Sequence, residues 1–416
     1  MDKVDQQGIR IRTGRQESLD IAERERLDQD DVRKEKSALV VLGLMTVVFV
    51  VFAMILPTGM LYDWTNGMSL SIFIERITGN IGGLVGVFVG NGAAFEARFM
   101  VVIMCAVSGA ALGLCGSAYQ GAFNNPLAAP KTLGVMGGGA LGALIYVVIL
   151  SDFGPQMPNG SGSFTAEQYT QWMNSLSPLE WFWTNYGLSI CSIVGCCVVV
   201  FVVVLLTSFL GQGKLSNIIV IIFGQVFAAA VTALLSFSRY WFSMCGDPDT
   251  ADAIMQIENY TMTKSFYYYD LLIVVVPIVV CMIIILSMSR RMTLLSFGDD
   301  EAASMGINVN RSRYAMIAVC TIMTALAISF CGHVAFLGFI SAHLARRIVG
   351  ANFKYLLPAS MLTGASLLTV VQYICQSGLP YTSSNSAGVV CSIFGAVLFL
   401  ALVISQWKEG TSGEWR

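Results

Sequence analysis

From residue 37 onward the chain alternates long apolar runs with short charged stretches. Several runs exceed 18 residues without a charge, enough for a helix to cross a hydrocarbon core of about 30 Å. Ten such segments are predicted, near 37–56, 99–122, 132–150, 186–207, 216–238, 270–289, 314–332, 335–345, 356–378 and 387–406. The 335–345 run is too short to cross as a straight helix, so it is expected to be partial or to continue into its flanks.

The placement of Lys and Arg orients these spans. With the N-terminus inside and ten crossings, 20 of the 24 basic residues fall on the cytosolic side, and only Arg76, Arg98, Arg239 and Lys264 fall outside. Residues 77–95 are apolar enough for a further span. A crossing there would invert every later loop and move eleven basic residues outside, so 57–98 is expected to be an external segment. Five of the seven tryptophans (Trp64, Trp172, Trp181, Trp183 and Trp241) and the run Phe266 to Tyr269 then sit in external loops, as an interfacial belt would. Residues 151–185, rich in Gly, Ser, Pro and Asn, read as an exposed loop. Residues 243–258, with Asp247, Asp249, Asp252 and Glu258, read as an acidic one.

Composition narrows the class. Of 416 residues 55% are hydrophobic and 12% charged, with mean hydropathy +0.69. A typical soluble domain carries about 25% charged residues, so a soluble enzyme is excluded. A net charge of −2 without a basic stripe excludes nucleic-acid binding. Residues 1–36 hold nine basic and ten acidic side chains and do not form a signal peptide, so they read as a cytosolic tail. The 11 cysteines include no C-x-x-C pair and lie almost all in apolar runs, where Cys packs as a small hydrophobe.

Two motifs fail on context. Gly137-Gly138-Gly139-Ala140-Leu141-Gly142 fits a dinucleotide fingerprint but lies in an apolar helical run rather than a βαβ unit. Small residues at such spacing let membrane helices approach closely. Gly211-Gln212-Gly213-Lys214-Leu215 lacks the first glycine of a P-loop and its Mg²⁺-binding Ser/Thr. Ionisable groups within the spans are nearly absent, so no ion or proton relay is visible. A transporter without an ATPase or a relay needs an external energy source, and a soluble partner supplies one. The segment 298–306 is a candidate contact: Asp299 and Asp300 after Gly298 suit a helix start, and Gly306 a helix end.

That segment carries a family resemblance. Gly298-Asp299-Asp300-Glu301-Ala302-Ala303-Ser304-Met305-Gly306-Ile307-Asn308-Val309-Asn310-Arg311 resembles the G-E-E-A-A-x-x-L-G-V-N-V-x-R coupling segment of FecCD-type permeases. These are the membrane subunits of ABC importers for iron-siderophores, haem and cobalamin (vitamin B12). Two more blocks are similar in the same order. One is Gln120 to Pro130, with Asn125, Pro126 and Leu127, followed by Leu133-Gly134-Val135. The other runs from Cys331-Gly332 through Phe336, Gly338, His343, Ala345 and Arg346. Departures include His333 and Ala342 in place of prolines, and Ser386 and Val397 near the last span. His333 reads as a packing histidine or as a ligand for iron or haem. A faint internal repeat links 108–128 with 324–345, the first expected to run inward and the second outward.

The resemblance implies an all-α, polytopic membrane protein of about ten transmembrane helices, like a type II ABC importer permease. A cytosolic tail, 1–36, precedes a permease domain, 37–407, with a coupling loop at 291–313, and 408–416 form a cytosolic tail. The expected location is the bacterial cytoplasmic (inner) membrane, multi-pass, with both termini cytosolic. The implied partners are a second permease chain, identical or homologous, two cytosolic ABC ATPase subunits and an extracytoplasmic substrate-binding protein. The chain is expected to catalyse nothing and to bind no cofactor, ATP and Mg belonging to the partner ATPase. Gly298, Asp299, Asp300, Glu301, Ala302, Ala303, Gly306 and Arg311 are the expected coupling residues. Arg76, Arg98 and Arg239 are the expected docking residues for the binding protein. An iron compound is the expected cargo, with cobalamin or an ATP-independent secondary transporter as alternatives.

Overall fold

The structure, a computed structural model, describes residues 37–49, 92–150, 166–210, 217–258, 268–332, 334–377 and seven positions between 390 and 400. Among the described residues the regular structure is entirely helical. The first helix is α1 (Ser37–Phe49), followed by α2 (Gly92–Phe123). A 3₁₀ turn (Pro130–Leu133) leads through Gly134 at φ +79° into α3 (Val135–Ile145), which ends in a π turn (Tyr146–Leu150). Then come α4 (Ala166–Ser175), α5 (Pro178–Leu210), α6 (Asn217–Met244) and α7 (Pro248–Glu258). Helix α8 (Tyr268–Ser287) bends by 49° into α9 (Ser289–Leu295), and a short α10 (Asp299–Ser304) follows. The described order closes with α11 (Val309–Cys331), α12 (Leu337–Val349) and α13 (Phe353–Ser377). The described parts of the ten expected spans are mostly helical, and among the described residues five helices, or six with the bent pair α8 and α9, are long and apolar enough to cross a membrane. The polytopic all-α reading holds.

Helix α2 is the hub, packed against α8, α11, α12 and α13. Small residues make the close approach possible. A Cβ on Gly116 would lie 2.8 Å from Gly338 Cα, and one on Gly109 would lie 3.0 Å from Ala365 Cα. Without lipid-derived hydrophobic pressure, such contacts hold membrane helices through van der Waals packing. The contact pairs also set relative directions. Cys331 Sγ reaches Met104 O while Thr324 Oγ1 reaches Cys115 Sγ, so α11 runs antiparallel to α2. The pairs Gly116 with Gly338 and Gln120 with His343 make α12 parallel to α2. These are the relative directions that counting crossings requires. In the faint repeat, 108–116 on α2 and 324–331 on α11 therefore run opposite ways, while the continuation of the second half into α12 runs parallel to α2.

Several expectations change at the helix ends. Helix α2 begins at Gly92, seven residues before the expected 99, because the helix extends through a less apolar segment with Glu96 and Arg98 ahead of the apolar part, Met100–Phe123. The expected loop 151–185 is helical at α4 and from Pro178 onward. Ser177 and Glu180 form a capping box: Ser177 N–H donates to Glu180 Oε2 at 2.9 Å and Glu180 N–H to Ser177 Oγ at 3.4 Å. Trp181 and Trp183 consequently sit on α5 rather than in a loop. The acidic 243–258 loop is largely α7, capped by Asp247, whose Oδ1 accepts from Thr250 N–H at 3.1 Å. Those hydrogen bonds hold the Asp247 carboxyl below the usual aspartate range. The glycine-rich run on α3 packs as a helix: a Cβ on Gly138 would meet Gly195 O of α5 at 2.6 Å. The tails 1–36 and 408–416 and the P-loop-like 211–215 lie outside the described residues.

Candidate coupling site

The loop expected at 291–313 is built from three helical pieces. Gly298, at φ +121°, turns the chain into α10, whose first turn carries Asp299, Asp300 and Glu301, the arrangement favoured by the helix dipole. The helix ends in a Schellman motif: Ile307 N–H donates to Ala302 O at 3.1 Å and Gly306 N–H to Ala303 O at 3.0 Å, with Gly306 at φ +84°. Asn308 then caps α11 by accepting from Arg311 N–H at 3.0 Å. Arg311 thus contributes its backbone to the cap while the residue stays exposed.

One turn of α10 has two faces. Ala302 is fully buried in the core of its own chain, whereas Ala303, Asp300 and Glu301 are exposed. Of the two expected coupling alanines, Ala302 is therefore an anchor to its own chain and Ala303 alone is open: neighbours on a helix point about 100° apart. Asp299 is likewise not free for a partner. Its two carboxylate oxygens accept from both terminal nitrogens of Arg313, Oδ2 from NH1 at 2.7 Å and Oδ1 from NH2 at 2.6 Å. The residue is 54% exposed at its side chain, while Arg313 is 2% exposed.

Arg313 was visible in the sequence only as one cytosolic charge. It lies on the buried stripe of α11 with Met316, Ile317, Cys320 and Thr324, and a charge on such an apolar stripe was the available signal. Its Nε donates to Ala122 O at 2.7 Å. The regular helical donor to that carbonyl would be the residue four positions on, which is Pro126 and has no N–H. The guanidinium fills the place that proline leaves open.

The remaining motif positions gather at the same end of α2. Gln120 is buried; its Oε1 accepts from Arg346 NH2 at 3.3 Å, and its Nε2 lies 3.5 Å from His343 Nδ1. His343 Nδ1 is nearer Phe339 O, at 3.1 Å, and a protonated Nδ1 satisfies that carbonyl. Gln120 O accepts from Asn125 N–H at 3.2 Å, and Asn125 Oδ1 accepts from Leu127 N–H at 2.9 Å. Asn124 takes φ +45°, a left-handed value Asn tolerates. The Gln120…Asn125-Pro126-Leu127 block is thus a built turn with Leu127 exposed at its tip. Gly338 serves the close contact of α12 with α2.

A family model, the FecCD transport family, matches residues 64–405. The chain belongs to that family. FecCD proteins are transport permease subunits, and the described helices make this one a multi-pass membrane protein. It is 25% identical over 312 residues to the cobalamin import system permease protein BtuC of Halobacterium salinarum, covering 74% of this chain and 72% of that one. It is 26% identical over 322 residues to the hemin transport system permease protein HmuU of Yersinia pestis, covering 76% and 84%. A solved metal-chelate type ABC transporter in an inward-facing conformation superposes with a TM-score of 0.63 at 25% identity, over 88% of this chain and 99% of that chain.

The other expected site residues are dispersed. Arg98 lies in the second turn of α2 and Arg239 near the end of α6, while Arg76 and His333 fall outside the described residues. Among the described residues, no three His, Cys, Asp or Glu side chains are grouped as metal ligands.

Proposed function

We propose that this chain is the permease subunit of a binding-protein-dependent ABC importer that carries an iron chelate, siderophore-bound iron or haem, across the bacterial cytoplasmic membrane. Both termini are cytosolic in this reading, as the basic-residue count requires. Two ATPase subunits supply ATP and Mg²⁺ chemistry, and an external binding protein delivers cargo, docking near Arg76, Arg98 and Arg239. The observation that carries the reading is α10: a short helix that starts after Gly298 and is closed by a Schellman motif, anchored inward through Ala302, with Ala303, Asp300 and Glu301 open to a soluble partner. The open face of α6 supports a second permease chain. Among the exposed Ile222, Val226, Leu234 and Phe237 it presents Gln225, Ala229, Ala230, Thr232 and Ala233, small and polar positions of the kind that line helix–helix contacts in membranes. Cobalamin is the second reading, favoured by the Halobacterium relative.

Ala303→Trp tests it without disturbing the chain's own core. Overfilling a partner groove costs about 1–3 kcal/mol, so ATPase association and binding-protein-stimulated ATP hydrolysis should fall together, about tenfold. Wild-type levels of both would reduce α10 to a connector. Uptake into proteoliposomes of a ferric siderophore, haem and cobalamin, compared side by side with the cognate binding protein, assigns the cargo.

A further inference from the structure

We propose that the Arg313–Asp299 pair is a strut that carries movement of α10 to the end of α2 and so to the Asn124–Leu127 turn. The inference rests on the reading of α10 as the ATPase contact. Arg313 is a positioning residue here, joining three elements through one planar group. Its fork holds Asp299 of α10 by two bonds of 2.6 and 2.7 Å, and its Nε holds Ala122 O by a third of 2.7 Å. A bidentate guanidinium–carboxylate pair fixes direction as well as distance, which a single flexible ammonium does not.

The recipient end is built to receive a displacement. Pro126 leaves the Ala122 carbonyl without its regular helical donor, so the last turn of α2 depends on Arg313 for that bond. Two residues after Ala122 the chain enters the turn at Asn124, at φ +45°, and Leu127 beyond it is 53% exposed. Gln120, bonded to Arg346 of α12, holds the other side of the same turn of α2 and gives the strut something to work against. A static brace needs no buried charge, since apolar residues of similar volume often hold buried elements as well or better. An ion pair whose carboxylate sits on the exposed short helix, with its arginine inside, is instead arranged as a link between surface and core.

The test uses the assembled transporter with its ATPase and binding protein in proteoliposomes, reading substrate imported per ATP hydrolysed. Asp299→Ala should lower that ratio at least fivefold. Because it leaves Arg313 buried without its carboxylate and can unfold the chain, the double variant Asp299→Ala/Arg313→Leu removes both charges and should lower the ratio equally. Asp299→Glu keeps the pair and should restore it. A second readout is the alkylation rate at Leu127→Cys, quantified at that position by peptide mass spectrometry, with and without a non-hydrolysable ATP analogue. Nucleotide should change the rate in the otherwise wild-type chain but not in the double variant. A double variant with a wild-type ratio overturns the strut, even if it yields less assembled complex, because that is the behaviour of a brace. A Leu127→Cys rate indifferent to nucleotide in the otherwise wild-type chain overturns it too. If Ala303→Trp leaves ATPase association intact, the reading of α10 fails first. If Ala303→Trp disrupts association while the Asp299 variants keep their ratio, the strut alone fails.

Discussion

Helices α2 and α6 are both apolar enough to cross a bilayer, yet 72% of the most apolar stretch of α2 is buried within the chain and only 22% of that of α6. Hydropathy does not separate them, because lipid and protein interior are equally apolar solvents for Leu or Val. Texture separates them. Helix α2 puts Gly109 and Gly116 against backbone of α13 and α12 and buries Ser108, Ser117 and Gln120. Helix α6 buries one narrow stripe, Val220, Gly224, Val231 and Leu235, flanked by the half-buried Phe223 and Phe227, and leaves its other side open. On that side α6 exposes Ile222, Val226, Leu234 and Phe237 with Gln225, Ala229, Ala230 and Thr232 among them, whereas α8 shows an almost uniform apolar face of Leu272, Ile273, Val276, Val280 and Ile283. A membrane helix is therefore placed by where its small and polar residues lie, not by how apolar it is.

The largest expected effect is at the hub. Gly116→Val drives a side chain into the backbone of Gly338, at the upper end of the ~1–3 kcal/mol typical of overpacking or beyond it. Folded protein recovered in detergent, followed by fluorescence-detected size exclusion after heating, should fall sharply. Ala229→Leu, on the open face of α6, should change the stability of the solubilised chain by no more than about 0.5 kcal/mol. In the assembled transporter the same substitution should lower thermal stability if a second permease covers that face. Equal effects of Gly116→Val and Ala229→Leu on the isolated chain would erase the contrast.

The smallest effect is at the C-terminal end of α6, where Asp247 caps α7. Its carboxyl is held below the usual aspartate range by the bonds from Thr250. The contribution to α7 is thus present above the unfolded aspartate value of about 3.9 and is lost as pH falls through the lower folded value. Hydrogen exchange in the first turn of α7, corrected for intrinsic rate, should rise only under that acid condition, with the α2 hub unaffected. Asp247→Ala should show the raised exchange already at neutral pH.

Much of this was legible from residues 37 to 406 because membrane spans are written in composition: a run of about 20 apolar residues has few other solutions. The ends were less legible. Ser177-Pro178-Leu179-Glu180 and Asp247-Pro248-Asp249-Thr250 are helix-start signals, but Gly, Ser, Asn and acidic neighbours made their surroundings resemble loops. In the coupling segment, the helix start at Asp299 and stop at Gly306 follow from local chemistry, and the structure keeps both.

By itself the sequence determined the class, the apolar helical segments and the place of α10, since each depends on local apolarity or on residues within one turn. Only the tertiary structure decided that Ala302 faces inward and Ala303 outward, and that Gly116 meets Gly338 across 222 positions. It alone joined Asp299, Arg313 and Ala122. Arg313 and Ala122 lie 191 residues apart, and the need that unites them, a carbonyl orphaned by Pro126, is satisfied by whichever donor packing brings within 3 Å.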